Sequence, residues 1–184
     1  VLSPNQEHFQ GITYHNTRQS ISGSFQPTGN SILSMEMSWG EDIDVANNRQ
    51  GEFITVTTGL DLRLGRRFQG ELDWIHQDFD VPGGRLFTVD LAQTRMFYHF
   101  NRRSFLRAIF QYQWLEQNPA LYLDPGSVNR KSEDLLTQLL FSYRLNAQTV
   151  FLLGYSDNHA GVDPIDLTQT DRTVFLKIGY ALLL

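Results

Sequence analysis

The stretch DLLTQLLFSYRLNAQTVFLLGYSDN, residues 134–158, holds two apolar runs on either side of a polar break, NAQT at residues 146–149. Read as a helix, the first run has apolar residues at three- and four-residue spacings. The second run, residues 149–155, is short, β-branched and aromatic, and a tight polar turn joins it to the first. Together they predict a β-hairpin, in which one face of the first strand is formed by Leu135, Thr137, Leu139, Phe141, Tyr143 and Leu145.

Composition narrows the class of protein before any other strand is placed. The chain has 184 residues, 41% of them hydrophobic, a formal charge of -5 and no cysteine. That length suits a single domain over residues 1–184. The acidic balance argues against a nucleic-acid partner, because affinity for phosphate backbones depends on clustered Lys and Arg. The lack of cysteine excludes disulfides, thiol catalysis and Cys-ligated zinc, and we find no motif for a cofactor.

Two kinds of hydrophobic segment are missing from the sequence. No apolar run approaches the roughly 18 to 20 residues that a membrane helix requires. No charged-then-apolar signal segment opens the chain at Val1, which predicts a processed protein or a fragment.

Segments with the period of a strand recur along the chain instead, and we count about ten of them. The connections between them alternate in length: four are tight, and those near 41–51, 79–85, 116–133 and 158–171 are long and polar. Transmembrane barrels show that asymmetry, with short periplasmic turns and longer extracellular loops. The predicted strands lie near 7–14, 18–26, 30–40, 52–64, 67–78, 86–100, 103–115, 134–145, 148–157 and 172–184.

The two faces of these strands differ in charge. One face is apolar and aromatic, as in Leu33, Met35, Met37 and Trp39. The other face also carries apolar residues, but it holds the charges that we predict to line a barrel interior: Glu36, Asp61, Arg63, Glu71, Asp73, Arg107, Arg144 and Lys177. Acids belong to the earlier strands and bases to the later ones, so in a closed barrel of about ten strands we expect ion pairs across the interior. A barrel of that size is mostly filled by its side chains.

Aromatic residues mark both ends of the apolar face. Trp and Tyr collect at bilayer interfaces because their rings have one apolar and one polar edge, and aromatic bands flank the apolar belt of outer-membrane barrels. A β-sandwich whose core is capped by aromatic residues is the alternative. We predict one membrane interface at Trp39, Trp74, Trp114 and Tyr155, and the other at Phe25, Phe68, Tyr143 and Tyr180.

These features predict an all-β, antiparallel up-and-down transmembrane β-barrel of about ten strands, or the C-terminal part of a larger barrel. The expected location is the bacterial outer membrane, with outer-membrane lipid and lipopolysaccharide around the barrel. The last strand alternates to the C terminus, as in strands read by the barrel-assembly machinery, although it ends Leu182-Leu183-Leu184 rather than on an aromatic residue.

Three stretches also carry a family resemblance: QNPALY at 117–122, LFSYRLNAQTVFLLGYSDN at 140–158 and TDRTVFLKIGYA at 170–181. With them, the chain from about Gly23 onward resembles the C-terminal part of large bacterial outer-membrane proteins. Those proteins have an N-terminal domain like carbohydrate-binding module family 9, followed by a β-barrel of unknown function. The resemblance implies an outer-membrane location and an N-terminal periplasmic domain or other envelope subunits as partners. It supplies no catalytic residues, and the sugar-binding domain has no counterpart here.

One loop gathers the few residues that could carry chemistry. In SDNHAGVDPIDLTQTD, residues 156–171, the weak candidates for a metal site are Asp157, Asp163 and Asp166, but their spacing departs from the calcium-loop pattern. His159 beside Asp157 could act as a general base, by analogy with the outer-membrane omptin proteases. A solvated acidic loop is the simpler interpretation.

The sequence therefore favours a non-enzymatic barrel wall or membrane anchor of a larger envelope protein, with a narrow or plugged channel. The alternatives are a rim-loop hydrolase and, if further strands upstream widen the barrel, an open porin.

Overall fold

A computed structural model describes residues 2–9 and 12–180, with side chains from Asn16 to Tyr180. Two short 3-10 turns, Pro119–Leu121 and Pro125–Ser127, interrupt a chain made otherwise of strands and their connections. The strands are β1 Leu2–Phe9, β2 Ile12–Thr28, β3 Ser31–Asp44, β4 Arg49–Leu64, β5 Phe68–Val81, β6 Gly84–His99, β7 Ser104–Gln117, β8 Lys131–Arg144, β9 Thr149–Val162 and β10 Ile165–Tyr180.

All ten strands belong to one sheet, in the order of the chain, and each pairs antiparallel with its sequence neighbours. The predicted all-β, antiparallel up-and-down fold is therefore confirmed. The alternative of a β-sandwich is wrong, because the described strands do not form two sheets. Over residues 2–9 and 12–180, β1 pairs only with β2 and β10 only with β9, so both edges of the described sheet are free. No helix in that part of the chain is long and apolar enough to cross a bilayer.

The predicted boundaries of the first and last strands need correction. The segment 7–14 is not one strand, since β1 ends at Phe9 and β2 begins at Ile12. Phe9 pairs antiparallel with Ile12, so the chain reverses direction between these two strands. The final part of the predicted last strand, residues 181–184, lies outside the described residues.

Three of the four predicted long connections are also wrong. The chain turns at residues 45–48, 82–83 and 163–164, and long connections near 41–51, 79–85 and 158–171 are absent from this described part of the sheet. The polar residues of these segments continue the ladder, as where Glu41 pairs with Glu52. Main-chain hydrogen bonds need no apolar side chain, so polarity does not mark where pairing stops. Residues 118–130, between β7 and β8, do form a long loop.

The strand register collects the apolar residues on one face, here called the apolar face. Directly paired residues share a face, so the pairing Leu33↔Leu60↔Leu72 extends this face across three strands. Many of its large side chains are exposed, including Phe25 at 64% and Leu176 at 69%. The uncharged part of this face, the apolar band, covers residues 21–25, 33–39, 54–64, 68–74, 92–98, 106–114, 135–143, 151–155 and 174–180 at alternate positions.

The opposite, polar face holds a small core near one end of the sheet. Phe53, Phe79, Val81 and Leu86 are buried there. They lie beneath Leu121 and Tyr122, which belong to the loop of residues 118–130. The loop therefore folds over the polar face rather than away from the sheet.

The two ends of the sheet are named here by their charge. The acidic end holds the turns 45–48, 82–83 and 163–164 and the loop 118–130, and acidic residues are frequent in the adjoining strands. The arginine end holds the turns 29–30, 65–67, 100–103 and 145–148. Those four turns contain no acidic residue and four arginines.

Candidate functional site

The residues predicted to line a barrel interior share the polar face. Asp61 pairs with Glu71, and the same row of paired residues reaches Arg95 in β6. Arg63 is connected to Arg107 in the same way through β5 and β6. The register places all of the predicted set on this face: Glu36, Asp61, Arg63, Glu71, Asp73, Arg107, Arg144 and Lys177.

The predicted ion pairs across the interior are not formed among the described residues. The acids of β5 bind Arg95 on the adjacent strand instead, with Nε 3.6 Å from Glu71 and Nη2 3.5 Å from Asp73. Adjacent strands are about 4.8 Å apart, so a base on β6 reaches these acids before any base further away does. Arg95 Nε is buried without a hydrogen bond, although the Arg95 side chain as a whole is 43% exposed.

The loop of residues 118–130 is fastened to the β3–β4 turn by polar contacts. Arg49 donates from Nε to Asp44 at 2.9 Å and from Nη2 to the Leu121 carbonyl at 2.5 Å. Asn47 accepts a hydrogen bond from the Leu123 amide at 2.8 Å. Asp44 is only 6% exposed, so its charge depends on Arg49 for compensation. The loop thereby crosses β4 to β6 and covers this end of the polar face.

A side-chain hydrogen bond of Tyr122 helps to hold the docked loop in place. Its hydroxyl accepts a hydrogen bond from Gln117 Nε2 at 2.8 Å. Burial raises the pKa of Tyr122, although the Gln117 hydrogen bond opposes that shift. The neutral phenol is therefore the form that the docked loop favours.

A histidine–carboxylate cluster lies on the apolar face, beyond the band and toward the acidic end. Asp90 Oδ1 accepts from Trp74 Nε1 at 3.2 Å and lies 2.9 Å from His76 Nδ1. The hydrogen bond to Asp90 is the main reason that the pKa of His76 is raised; burial opposes it, and the charges of Asp90 and Asp78 add to it. The His76 ring stacks on the Trp74 indole, which ends the apolar band in β5, with ring centroids 5.8 Å apart.

Asp78 extends this cluster to the β5–β6 turn. It accepts from Thr88 Oγ1 at 2.7 Å and binds Arg85 Nη1 at 2.5 Å. Burial disfavours the charged form of Asp78, but the Thr88 hydrogen bond and the charges of Arg85 and His76 outweigh it and lower its pKa. Arg85 also donates to Asp80 at 2.7 Å, and that bond raises the pKa of Arg85. Each of the three carboxylates in this cluster therefore has a hydrogen-bonding or ion-pair partner within it.

The predicted catalytic pair His159 and Asp157 is poorly assembled. His159 Nδ1 lies 3.9 Å from Asp157, beyond hydrogen-bonding distance, and has no hydrogen-bond partner. Asp157 instead accepts from the Tyr155 hydroxyl at 2.8 Å and from Gln169 Nε2 at 2.7 Å. An imidazole that its carboxylate does not orient is a weak general base.

The weak metal candidates are dispersed. Asp157 lies in β9, Asp163 in the β9–β10 turn and Asp166 in β10. Over the described residues no group of three or more His, Asp or Glu side chains is placed to hold a metal ion.

The predicted interface aromatics all lie on the apolar face, at the limits of the band. Trp39, Trp74, Trp114 and Tyr155 each come immediately before the first ionisable apolar-face residue toward the acidic end of their strands. Phe25, Phe68, Tyr143 and Tyr180 occupy the opposite limit. This placement agrees with the predicted order along each strand; contact with a bilayer stays a prediction.

No family model matches the sequence, and neither a curated protein nor a solved structure matches it significantly. The resemblance to outer-membrane proteins with a carbohydrate-binding-like domain therefore stays a prediction. The case for function rests on the geometry of the chain itself.

Sequence reasoning missed three features of this site. Arg95 and the His76–Asp90 contact depend on the β5–β6 register, which alternation alone does not supply. The docking of the loop had a signal in the sequence, because Leu121 and Tyr122 are large apolar residues within a polar connection.

Proposed function

We propose that the chain is the wall of an outer-membrane β-barrel and anchors a larger envelope protein, without enzymatic activity. Outer-membrane lipid and lipopolysaccharide would surround it, and the barrel-assembly machinery would insert it. The observation that carries this proposal is the exposed apolar band, which crosses the sheet obliquely and is uncovered by any other described element.

The obliquity is visible in the rows of directly paired residues. Toward the acidic end, the band extends as far as Ile54 in β4 and as far as Val174 in β10. When directly paired residues are followed from strand to strand, Val174 lies level with Leu62 of β4 rather than with Ile54. Toward the arginine end, the band in β3 ends at Leu33. Followed in the same way, Leu33 lies level with Arg172 of β10, which is outside the band. Apart from one row in β7, the band shifts progressively toward the arginine end as the chain advances.

This shift has the size expected for a barrel in a bilayer. From β4 to β10, the band shifts by about eight residues over six strands. At ~3.4 Å per residue and ~4.8 Å between strands, this shift corresponds to a tilt of roughly 40°. Strands of transmembrane barrels are tilted by about 35–45°. In a soluble protein, a sheet that packs on another layer can bury its apolar residues without arranging them in a straight, uncharged belt inclined to the strands.

Strand direction determines how such a wall can close. β1 pairs with β2 only as far as Gln19, so β2 and β10 are the edges of the described sheet across the band. Both run from the acidic end to the arginine end, and joining them directly would create a parallel pair. Single-chain bacterial barrels are antiparallel with an even number of strands. Antiparallel closure across the band therefore needs a strand in the direction of β1 between β2 and β10.

The interior of this wall is obstructed rather than open. The docked loop covers the polar face at the acidic end, and Phe53 and Phe79 fill the space beneath it. These contacts support a narrow or plugged channel over the open porin. The rim-loop hydrolase is the weaker alternative, since His159 and Asp157 are not hydrogen-bonded.

Fluorescence quenching by brominated lipid tests the bilayer directly. In a background with Trp39, Trp74 and Trp114 changed to Phe, a single tryptophan replaces either Phe110 on the apolar face or its neighbour Gln111 on the polar face. Chain-brominated phosphatidylcholine should quench the first strongly and the second weakly, because only the first contacts acyl chains. Equal quenching at both sites, or a monodisperse monomer without detergent, would overturn the proposal.

A further inference from the structure

Four exposed arginines crowd two neighbouring turns at the arginine end. Arg66 and Arg67 lie between β4 and β5, and Arg102 and Arg103 lie between β6 and β7. None of the four forms an ion pair with any residue that the structure describes. The described turns at this end hold no acidic residue, so no carboxylate in them compensates these charges.

Main-chain hydrogen bonds fix these turns side by side. The His99 amide donates to the Arg67 carbonyl at 2.7 Å, and the Arg144 amide donates to the Arg103 carbonyl at 2.7 Å. Asn101 Oδ1 accepts from the Arg103 amide at 2.8 Å, which holds the second turn in shape. Three of the four arginines line a depression of about 470 Å³ between these turns, formed by Arg66, Arg67, His99, Phe100, Asn101 and Arg102.

Aromatic rings separate the four arginines from the apolar band. Phe100 packs edge-on against Tyr98, with ring centroids 5.0 Å apart, and against Phe141 at 6.2 Å. Phe100 is 45% exposed. From the band outward, the order is aliphatic side chains, aromatic rings and then cations. A phospholipid leaflet presents the complementary order of acyl chains, ester interface and phosphates.

We propose that Arg66, Arg67, Arg102 and Arg103, here called the arginine rim, bind the phosphates of anionic phospholipids in the leaflet at the arginine end. This inference rests on the proposed membrane location. Guanidinium groups match phosphate oxygens with paired hydrogen bonds and are weakly hydrated. Basic residues beside an anionic leaflet each strengthen association roughly fivefold. The adjoining rings favour a lipid headgroup over a soluble anion, because only a lipid occupies both layers.

Arginines on the polar face supply a matched control. Arg63 and Arg144 are exposed at the same end but point away from the apolar face. The variants Arg66→Gln/Arg102→Gln and Arg63→Gln/Arg144→Gln therefore remove equal charge from the turns and from the polar-face ends of the strands. The chain has no cysteine, so Ala147→Cys in the adjacent turn accepts a single fluorophore.

The measurement is quenching of that fluorophore in phosphatidylcholine vesicles by headgroup-spin-labelled phosphatidylglycerol, relative to spin-labelled phosphatidylcholine. The parent protein should prefer phosphatidylglycerol, and raising salt should weaken that preference. The turn variant Arg66→Gln/Arg102→Gln should lose about 25-fold in relative affinity, at roughly fivefold per arginine, while the polar-face variant Arg63→Gln/Arg144→Gln keeps it.

Three outcomes would overturn the inference: no preference in the parent protein, equal loss in both variants, or loss caused by added inorganic phosphate alone. The last would assign the arginine rim to a soluble anion. Failure of the parent protein to enter either kind of vesicle would instead refute the proposed membrane location, which keeps the two failures distinct.

Discussion

The two ends of the sheet handle charge in opposite ways. At the acidic end, the most buried carboxylates are ion-paired within the protein, as where Asp44 binds Arg49 and Asp78 binds Arg85. At the arginine end, Arg66 and Arg102 find no ion-pair partner among the described residues. The same backbone ladder thus carries ion pairs at one end and unpaired cations at the other.

This difference follows from the length of the hairpins. Beyond the band at the acidic end, pairing continues through polar residues, so side chains on adjacent strands meet in register and form ion pairs. At the arginine end the strands stop near the limit of the band, and tight turns leave little ladder on which to build partners. The side chains of an end that extends into water are stabilised by contacts within the protein. The side chains of an end that lies at an interface are stabilised by contacts with the surrounding molecules.

The largest expected effect concerns the band between the two ends. Thr94 lies on the apolar face near the middle of the band, and its neighbour Gln93 lies on the polar face. An arginine on the lipid side of a barrel at mid-depth costs about 2–4 kcal/mol, so Thr94→Arg should lower the unfolding free energy in vesicles by that amount. Gln93→Arg should cost much less.

Urea titration of the two variants in phosphatidylcholine vesicles makes the comparison. If the apolar face were solvated by water, Thr94→Arg would fall within about 0.5 kcal/mol of the parent protein. Matching values for the two variants would therefore contradict the assignment of lipid to this face.

The next effect concerns the docked loop at the acidic end. Arg49→Ala removes the partner of the buried Asp44 and the donor to the Leu121 carbonyl. An unpaired buried charge and a lost hydrogen bond should favour loop opening by about 2 kcal/mol. Chymotrypsin should then cleave after Tyr122 or Leu123 roughly 30-fold faster, if opening is fast relative to cleavage. Arg130→Ala, which removes an exposed arginine from the same loop, is the control; an equal rise there would show that charge alone matters.

Much of the fold could be predicted from the sequence because alternation is a local property. Residues 135–145 alternate in a way that identifies a strand and its two faces without knowledge of any partner. The ends of strands could not be predicted as well, since Glu41 and Glu52 pair although both are charged. Closure across β1 and β10 involves distant segments, so no local pattern specifies it.

For the candidate site, the sequence predicts which face of a strand each residue lies on, but not which residues of other strands it contacts. The predicted charged residues share one face of the sheet, because each assignment depends only on the parity of one strand; that this face lines a barrel interior stays a prediction. Their partners depend on register between strands, and a shift of one residue reverses every facing side chain. Arg95 therefore emerged as the partner of Glu71 and Asp73 only once β5 and β6 were aligned.

The smallest expected effect tests the acidic end through pH. The raised pKa of His76, caused mainly by its hydrogen bond to Asp90, means that the folded protein binds this proton more tightly than the unfolded chain does. Its stabilisation should be complete below pH ~6.5 and should be lost as pH rises through the raised value. Because the imidazole is partly exposed, we expect only about 0.5 kcal/mol. Urea titrations at a series of pH values should show this loss in the parent protein, and either His76→Gln or Asp90→Asn should remove it. A pH dependence that survives both substitutions would place the responsible proton elsewhere.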